Sequence, residues 1–406
     1  MRYLLIGLTA GLLTVAMLAS CNGKKEKVLT PWGEEVGSED SLPKQGGFTL
    51  TDIQSNGELI VLTMSGPETY YDYRGRGMGL QYMLAEKFAE KLGVSLRVEV
   101  CRDTLELVRR LLAGDGDLIA FPLPRGYKHI EYCGAKLEAQ HAQWAVRQHN
   151  EELADSLNSW FRPRMIAELK KEEAFLLSTR SVTRHVYSPM LDRSGGIISR
   201  WDIHFKQYAP LAGWDWRLMA AQCYQESTFD PQAHSWAGAC GLMQIMPRTA
   251  DHLGLPREDL YNPERNIAAA AKYIRELSDR FADVGNPIER CCYVLASYNG
   301  GFFHIRDAMA LARKQGRNPN RWSDVREYVL RLSTPAYYND PVVKYGYMRG
   351  SETVNYVNRI IDRWAQYRGF THGGSTGTIG GSFKGFGDGF GNMKPSRAKH
   401  HNRFKL

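Results

Sequence analysis

The hydrophobic pattern of the 406-residue chain changes its period once, and that change limits what the chain can fold into. Residues 48 to about 162 alternate short β-rich runs with amphipathic helical runs. Glu58 to Thr63 is a strand run, and Leu80 to Leu92 places Leu80, Met83, Leu84, Phe88 and Leu92 at helical spacing before Gly93. Val94 to Val100 alternates again, Leu105 to Leu112 is a second amphipathic helix stopped by Gly114, and Leu118 to Phe121 is a buried strand. Strand, helix, strand, helix, strand predicts a parallel sheet. From Ile198 to Arg368 the pattern is helical throughout, with Pro287 and Ser351 at helix starts and Gly369 at the last helix end. At roughly 150 residues per domain the length allows two or three domains. The expected class is an α/β N-terminal domain followed by a mainly α C-terminal domain. Residues 163 to 198 are charged and mixed, and are expected to form a helical connector.

The two ends of the chain differ from this body. Met1-Arg2, the apolar run Leu4 to Met17 and the small residues before Cys21 have the order of a secretory signal. It is the one stretch apolar enough to enter a membrane, so a polytopic membrane protein is excluded. At the other end, nine glycines fall between Gly373 and Gly391, a composition that cannot bury a core. Lys and Arg number 52 against 44 Asp and Glu, a net charge of +8, and residues 370 to 406 hold six Lys/Arg and one Asp. Most of the excess therefore sits in the tail, and the body offers no basic surface that would mark a nucleic-acid binder. The six cysteines after Cys21 show no zinc spacing, so no zinc site is expected.

The chemistry concentrates between Asp215 and Ala250. Asp215 can cap a helix starting at Trp216. Met219, Cys223 and Glu226 then share one face at i, i+4 and i+7, which turns Glu226 into an apolar environment in the last helical turn. Desolvation raises a carboxyl pKa, and the negative end of a helix dipole adds to that. A carboxylic acid that keeps its proton near neutral pH is what glycosidic cleavage requires of a general acid.

Four blocks carry a resemblance. "YQESTFDPQAHSWAGACGLMQIMPRTA", "NPERNIAAAAKYIREL", "ASYNGG" and "SETVNYVNRI" run in the order found in the transglycosylase SLT domain, the lysozyme-like family of lytic murein transglycosylases. The resemblance implies a lysozyme-like domain over residues 199–369, with Glu226 as acid and base. It implies that Ser235 helps polarise the N-acetyl group of the neighbouring sugar. Gln244 would contact the saccharide, Met243 would form the groove wall, Tyr298 and Asn299 would line the cleft, and Tyr356 would pack near the acid. The resemblance implies that no second carboxylate acts on the bond and that neither a metal nor a cofactor is needed. The implied reaction cleaves the β-1,4 bond between MurNAc and GlcNAc in peptidoglycan glycan strands and leaves 1,6-anhydroMurNAc ends. A lysozyme-type hydrolase and a non-catalytic wall-binding module stay open as alternatives.

"GELIVLT", "GLQYMLAEKFAEKLGVSLRVEV", "LLAGDGDLIA" and "QWAVRQHNEELADSLNSWF" are similar to one lobe of the periplasmic solute-binding fold, over residues 48–165. Only about 20 residues separate Phe121 from the closing segment, too few for a second lobe. The resemblance implies muropeptides as partners of the lobe, and a spacer that positions the cleft above the membrane stays open as the alternative. Gly75-x-Gly77-x-Gly79 lacks phosphate-loop spacing and is expected to be a turn. Leu18-Ala19-Ser20-Cys21 resembles a lipobox, which implies lipidation of Cys21 after removal of residues 1–20 and a tether over 21–47. The implied location is a lipoprotein facing the periplasm, anchored in the outer membrane. Residues 166–198 are the connector and 370–406 the disordered tail.

Overall fold

The computed structural model describes residues 48–137 and 142–370. The signal segment, Cys21, the tether and the glycine-rich tail beyond residue 370 lie outside the described residues.

In the first domain α1 (Leu50–Asn56) leads into β1 (Glu58–Met64), followed by the hairpin β2 (Tyr71–Tyr73) and β3 (Arg76–Met78). Then come α2 (Leu80–Leu92), β4 (Ser95–Cys101), α3 (Thr104–Ala113), β5 (Leu118–Pro124), β6 (Ile130–Leu137), β7 (Ala142–Arg147) and α4 (Glu151–Trp160). The sheet order is β4-β1-β5-β7-β6. β4, β1 and β5 are parallel, as the alternation predicts, because each crossover runs through a helix. β7 alone is reversed, antiparallel to both of its neighbours β5 and β6, and the β5–β6 and β6–β7 connections contain no helix. The sequence pattern marks no strand after Phe121, and β7, running between β5 and β6, makes the sheet mixed rather than wholly parallel. One face is covered by the core around Leu84, Phe88, Trp144 and Leu157, the other by Leu62, Leu107, Leu111 and Ile119. α3 is well defined at both ends: the Asp103 side chain accepts the Glu106 amide, and Gly114 stops it in the left-handed region.

The connector is only half helical. α5 (Arg164–Leu176) packs through Leu169, Met165 and Ile166 on the core of the first domain. The chain then extends into β8 (Val182–Thr183), which pairs with β9 (His234–Ser235) of the second domain. Short polar stretches without apolar spacing gave no warning of that pairing.

The second domain contains α6 (Asp202–Ala212), α7 (Trp216–Ser227), β9, α8 (Pro247–Leu253), α9 (Pro263–Arg280), α10 (Pro287–Gly300), α11 (Phe302–Lys314), α12 (Trp322–Arg331), α13 (Pro335–Tyr338) and α14 (Gly350–Phe370). α7 is the axial helix. Trp216 to Cys223 are all buried, whereas a surface helix would bury a single stripe. Asp215 anchors its start. One carboxylate oxygen accepts the Arg217 backbone amide and Nε, both at 3.0 Å, and the other accepts Trp364 Nε1 at 3.2 Å. α14 crosses α7 with Thr353, Tyr356, Val357, Ile360 and Trp364 buried on one stripe. The close approach of α10 to α14 needs glycine at position 300, because a Cβ there would meet Met348 and Thr353.

The two domains share packing. Tyr347 of the second domain is buried in the core of the first and meets Tyr71 edge to face at 5.1 Å. The Tyr347 amide donates to Ser65 Oγ at 2.8 Å, at the carboxyl end of β1, and Tyr338 stands against Tyr347.

Candidate active site

Glu226 lies in the last turn of α7, which ends at Thr228 in a left-handed conformation. Met219 and Cys223 on its face are fully buried, as their spacing predicts. Glu226 itself sits on the groove floor with part of its surface open. Tyr356 on α14 donates its hydroxyl to Glu226 Oε1 at 2.5 Å. Gln222, one turn earlier on α7, donates Nε2 to the Tyr356 oxygen at 3.2 Å. That leaves the tyrosine proton directed at the carboxyl group. Burial raises the Glu226 pKa above the ordinary carboxyl value. Arg74 is the strongest opposing influence, followed by the Tyr356 hydrogen bond and Arg184; Glu352 adds a smaller upward push. Arg184 donates Nη1 to the Glu226 carbonyl at 3.0 Å. It thereby offsets the negative helix end that the sequence pattern counts as raising the pKa.

Two cavities meet at Glu226, one of about 360 Å³ and one of about 660 Å³. Arg74, Glu226, Gln244 and Asn299 line both, so they form one groove with two arms. The larger arm is aromatic, with Tyr273, Tyr298, Phe302, Phe303 and Tyr345 on its walls. The smaller arm is polar and includes Ser235, Glu352, Tyr356 and Arg359.

Most of the residues singled out in the sequence come together here. Ser235 lines the smaller arm, and its Oγ accepts the Ala239 amide at 3.0 Å. Gln244 adopts a left-handed backbone, φ 49°, and its Nε2 donates to the carbonyls of Ala233 at 3.1 Å and Gly241 at 3.0 Å. Asn299 Oδ1 accepts Thr353 Oγ1 at 2.7 Å. Tyr298 donates its hydroxyl to the Met243 carbonyl at 2.8 Å and tilts against Tyr273. Met243 is the exception: its side chain is 0% exposed in the domain core, behind the groove rather than on its wall. Its neighbour Leu242 and its own backbone are pinned there, with the Met243 amide donating to Asn266 Oδ1 at 2.8 Å. Asn266 Nδ2 also holds the Cys240 and Leu260 carbonyls, so one buried amide side chain fixes the whole loop. Cys240, with 5% exposure, fills space beside His234.

The hairpin of the first domain completes the groove, which no pattern in the sequence announces. Arg74 and Gly75 turn it, both at positive φ (53° and 76°), so the glycine-spaced segment is a tight turn as expected. Arg74 Nη2 reaches Glu352 Oε1 at 2.8 Å, and the Tyr73 hydroxyl donates to the same oxygen at 2.9 Å. Tyr73 stacks on Trp236 with centroids 6.0 Å apart and 4° between planes. Glu352 is therefore a second carboxyl in the groove. It stands in the block "SETVNYVNRI", and sequence reasoning passed over it because nothing local marks its partners. Asp72, at the other arm, accepts the Gly75 amide at 3.0 Å. Gln222, Asn266, Arg74 and Arg184 were likewise missed. Only Gln222 had a usable signal, one turn before Glu226 on the same helix. Among the described residues no group of three or more His, Cys, Asp or Glu side chains could hold a metal ion.

A carboxyl in the last turn of a buried axial helix, facing a groove with aromatic and amide walls, defines the class. Residues 204–320 match the family model of the transglycosylase SLT domain, and the site they carry is that of a lytic murein transglycosylase. Glu352 and Tyr356 lie beyond the matched segment. Over more of its length the chain is similar to proteins named membrane-bound lytic murein transglycosylase F. That of Desulfosudis oleivorans is 29% identical, with 77% of this chain and 90% of the relative covered. That of Pseudomonas putida is 26% identical, with 77% and 85% covered. The first alignment spans 415 positions but takes in only 77% of this chain, so the relative has roughly a hundred positions without a counterpart here. Among solved structures, the arginine-bound form of domain 1 from TmArgBP is 24% identical, covering 29% of this chain and 97% of that one, TM-score 0.25. The 70 kDa soluble lytic transglycosylase of Escherichia coli is 28% identical, covering 42% and 24%, TM-score 0.31.

Proposed function

We propose that Glu226 alone serves as acid and then base in cleaving the β-1,4 bond between MurNAc and GlcNAc of peptidoglycan. The observation that carries this is the 2.5 Å hydrogen bond from Tyr356 to a carboxyl held above its ordinary pKa. Glu226 gives its proton to the leaving glycosidic oxygen as the C1–O bond breaks. The MurNAc acetamide stabilises the positive charge developing at C1, and Ser235 orients that acetamide. The Tyr356 hydroxyl stabilises the carboxylate that remains. Glu226 then takes the proton of the C6 hydroxyl as that oxygen attacks C1, closing the 1,6-anhydro ring. Gln244 and Asn299 hydrogen-bond the strand, and Tyr298 holds the groove loop through the Met243 carbonyl. Hydrolysis through two carboxylates needs the second one free to act as base or nucleophile. Glu352 is tied to Arg74 and Tyr73, and Asp72 to the Gly75 amide, which favours the intramolecular route over a lysozyme-type hydrolase.

The proposal extends to location. Met1 to Cys21 supports export and lipidation at Cys21, with residues 21–47 as a tether and the groove facing the periplasm from the outer membrane. Muropeptides are proposed partners of the lobe. The carboxyl ends of parallel strands are where open α/β sheets take ligands. In this chain the β1 end meets Tyr347. Glu226→Gln tests the proposal: the variant is expected to retain glycan binding and to release soluble muropeptides about 10³-fold more slowly. Normal turnover by that variant would remove Glu226 from the mechanism.

A further inference from the structure

The smaller arm of the groove carries more positive charge than an uncharged sugar backbone needs. Four guanidinium groups line it, from Arg74, Arg184, Arg349 and Arg359, against the carboxyls of Glu226 and Glu352. Glu352 takes Arg74 at 2.8 Å and lies 3.7 Å from Arg349, while Arg184 is engaged by the Glu226 carbonyl. Arg359 is exposed at the rim and has no hydrogen-bond or ion-pair partner among the described residues. The Nε atoms of Arg74 and Arg349 are buried with no hydrogen-bond partner. Whenever Glu226 holds the proton it must donate, four positive groups face one negative one.

The arrangement is built from three separate parts of the chain. Arg74 comes from the β2–β3 turn of the first domain, Arg184 from the residue after β8, Arg349 from the residue before α14 and Arg359 from its third turn. Glu352, Tyr356 and Arg359 follow one another at helical spacing on the face of α14 that borders the arm. Guanidinium groups match carboxylates with paired parallel hydrogen bonds. In a murein strand the negative charge rests on carboxylates carried by the lactyl ether of muramic acid, either directly or at its peptide.

We infer that the smaller arm is a carboxylate-binding subsite that selects muramic-acid-bearing strands, with Arg74 of the solute-binding-like lobe and Arg359 of α14 as specificity residues. This rests on the lytic transglycosylase reading and adds to it the part of the substrate that the lobe helps to recognise. The lactyl carboxylate of a peptide-free strand and the carboxylates of a stem peptide offer the same chemistry.

The full-length Glu226→Gln variant is titrated with three soluble probes: a neutral chitooligosaccharide, murein glycan stripped of peptides by an amidase, and peptide-bearing murein glycan. At low salt the anionic strands are expected to bind at least about ten-fold tighter than the neutral one, and the gap to narrow near 0.5 M salt as screening shortens to roughly 4 Å. A gap already present with stripped glycan assigns the lactyl carboxylate; a gap confined to peptide-bearing glycan assigns the stem. Adding Arg359→Gln is expected to cut the anionic-to-neutral affinity ratio at least about three-fold, with Arg359→Lys keeping part of it. Arg74→Gln is expected to do the same, and Arg359, being exposed, keeps the test open if Arg74→Gln fails to fold. Equal affinity for neutral and anionic strands, or a ratio untouched by Arg359→Gln, overturns the inference. Failure of the unmodified enzyme to release anhydro ends from either murein substrate overturns the parent reading as well.

Discussion

The two walls of the groove differ in how they are made. The floor and one wall come from α7, the Gln244 loop, α10 and α14, and their residues lie within short blocks of the chain. The opposing wall is an eight-residue hairpin from the first domain, whose Arg74 meets Glu352 across 278 residues of sequence. The first wall works by chemistry carried on one helix: Glu226 is buried by its own neighbours and oriented by Tyr356 and Gln222. The second works by charge brought from a distance. Its largest effect on Glu226 is the pull of the Arg74 guanidinium toward the ionised form. The comparison teaches that the acid's pKa is set jointly, with burial from one domain opposed by a cation from the other.

Ways to break that comparison start with the first wall. Glu226→Gln is expected to lower muropeptide release by about 10³-fold, within the range for a general acid, measured by chromatography of digested sacculi. Tyr356→Phe removes a hydrogen bond to an ionising group and is expected to lower kcat by roughly 10-fold, with circular dichroism unchanged. A loss as large as that of Glu226→Gln would make Tyr356 a proton donor in its own right.

The second wall is tested by the pH profile. The protonated acid does the work, so activity is lost as pH rises through the Glu226 pKa. Arg74→Gln removes the strongest downward influence and is expected to move the alkaline limb of kcat/KM to higher pH. Glu352→Gln leaves Arg74 without its carboxylate and is expected to move the same limb to lower pH. Identical shifts in the two variants would mean that the hairpin does not tune the acid. The smallest effect is structural. Trp236→Ala deletes the stack on Tyr73 and is expected to cost about 1 kcal/mol, read by calorimetry as a Tm lowered by a few degrees.

What the sequence revealed follows the same division. Helix periodicity and the Asp215 cap located α7, and i, i+4, i+7 spacing put Glu226 on the buried face. The parallel strands β4, β1 and β5 were legible because helices separate them. The antiparallel β6–β7 pair was not, since β6 has no clean alternation. Met243 was expected on the groove wall, but the Asn266 amide turns the loop so that its side chain enters the core. Arg74 sits in a turn whose glycines explain the backbone and conceal the arginine's role. Glu352 carries no local mark, because its partners arrive from another domain. Residues defined by neighbours in sequence could be read; residues defined by neighbours in space could not.

The most direct test is mass spectrometry of the ends released from purified peptidoglycan by the unmodified chain. A single carboxyl that donates and reclaims one proton predicts muramic ends lighter by one water, closed as 1,6-anhydro rings, and about 10³-fold fewer of them from Glu226→Gln. Reducing ends of full mass would show that water attacks C1, and would contradict the account at its centre.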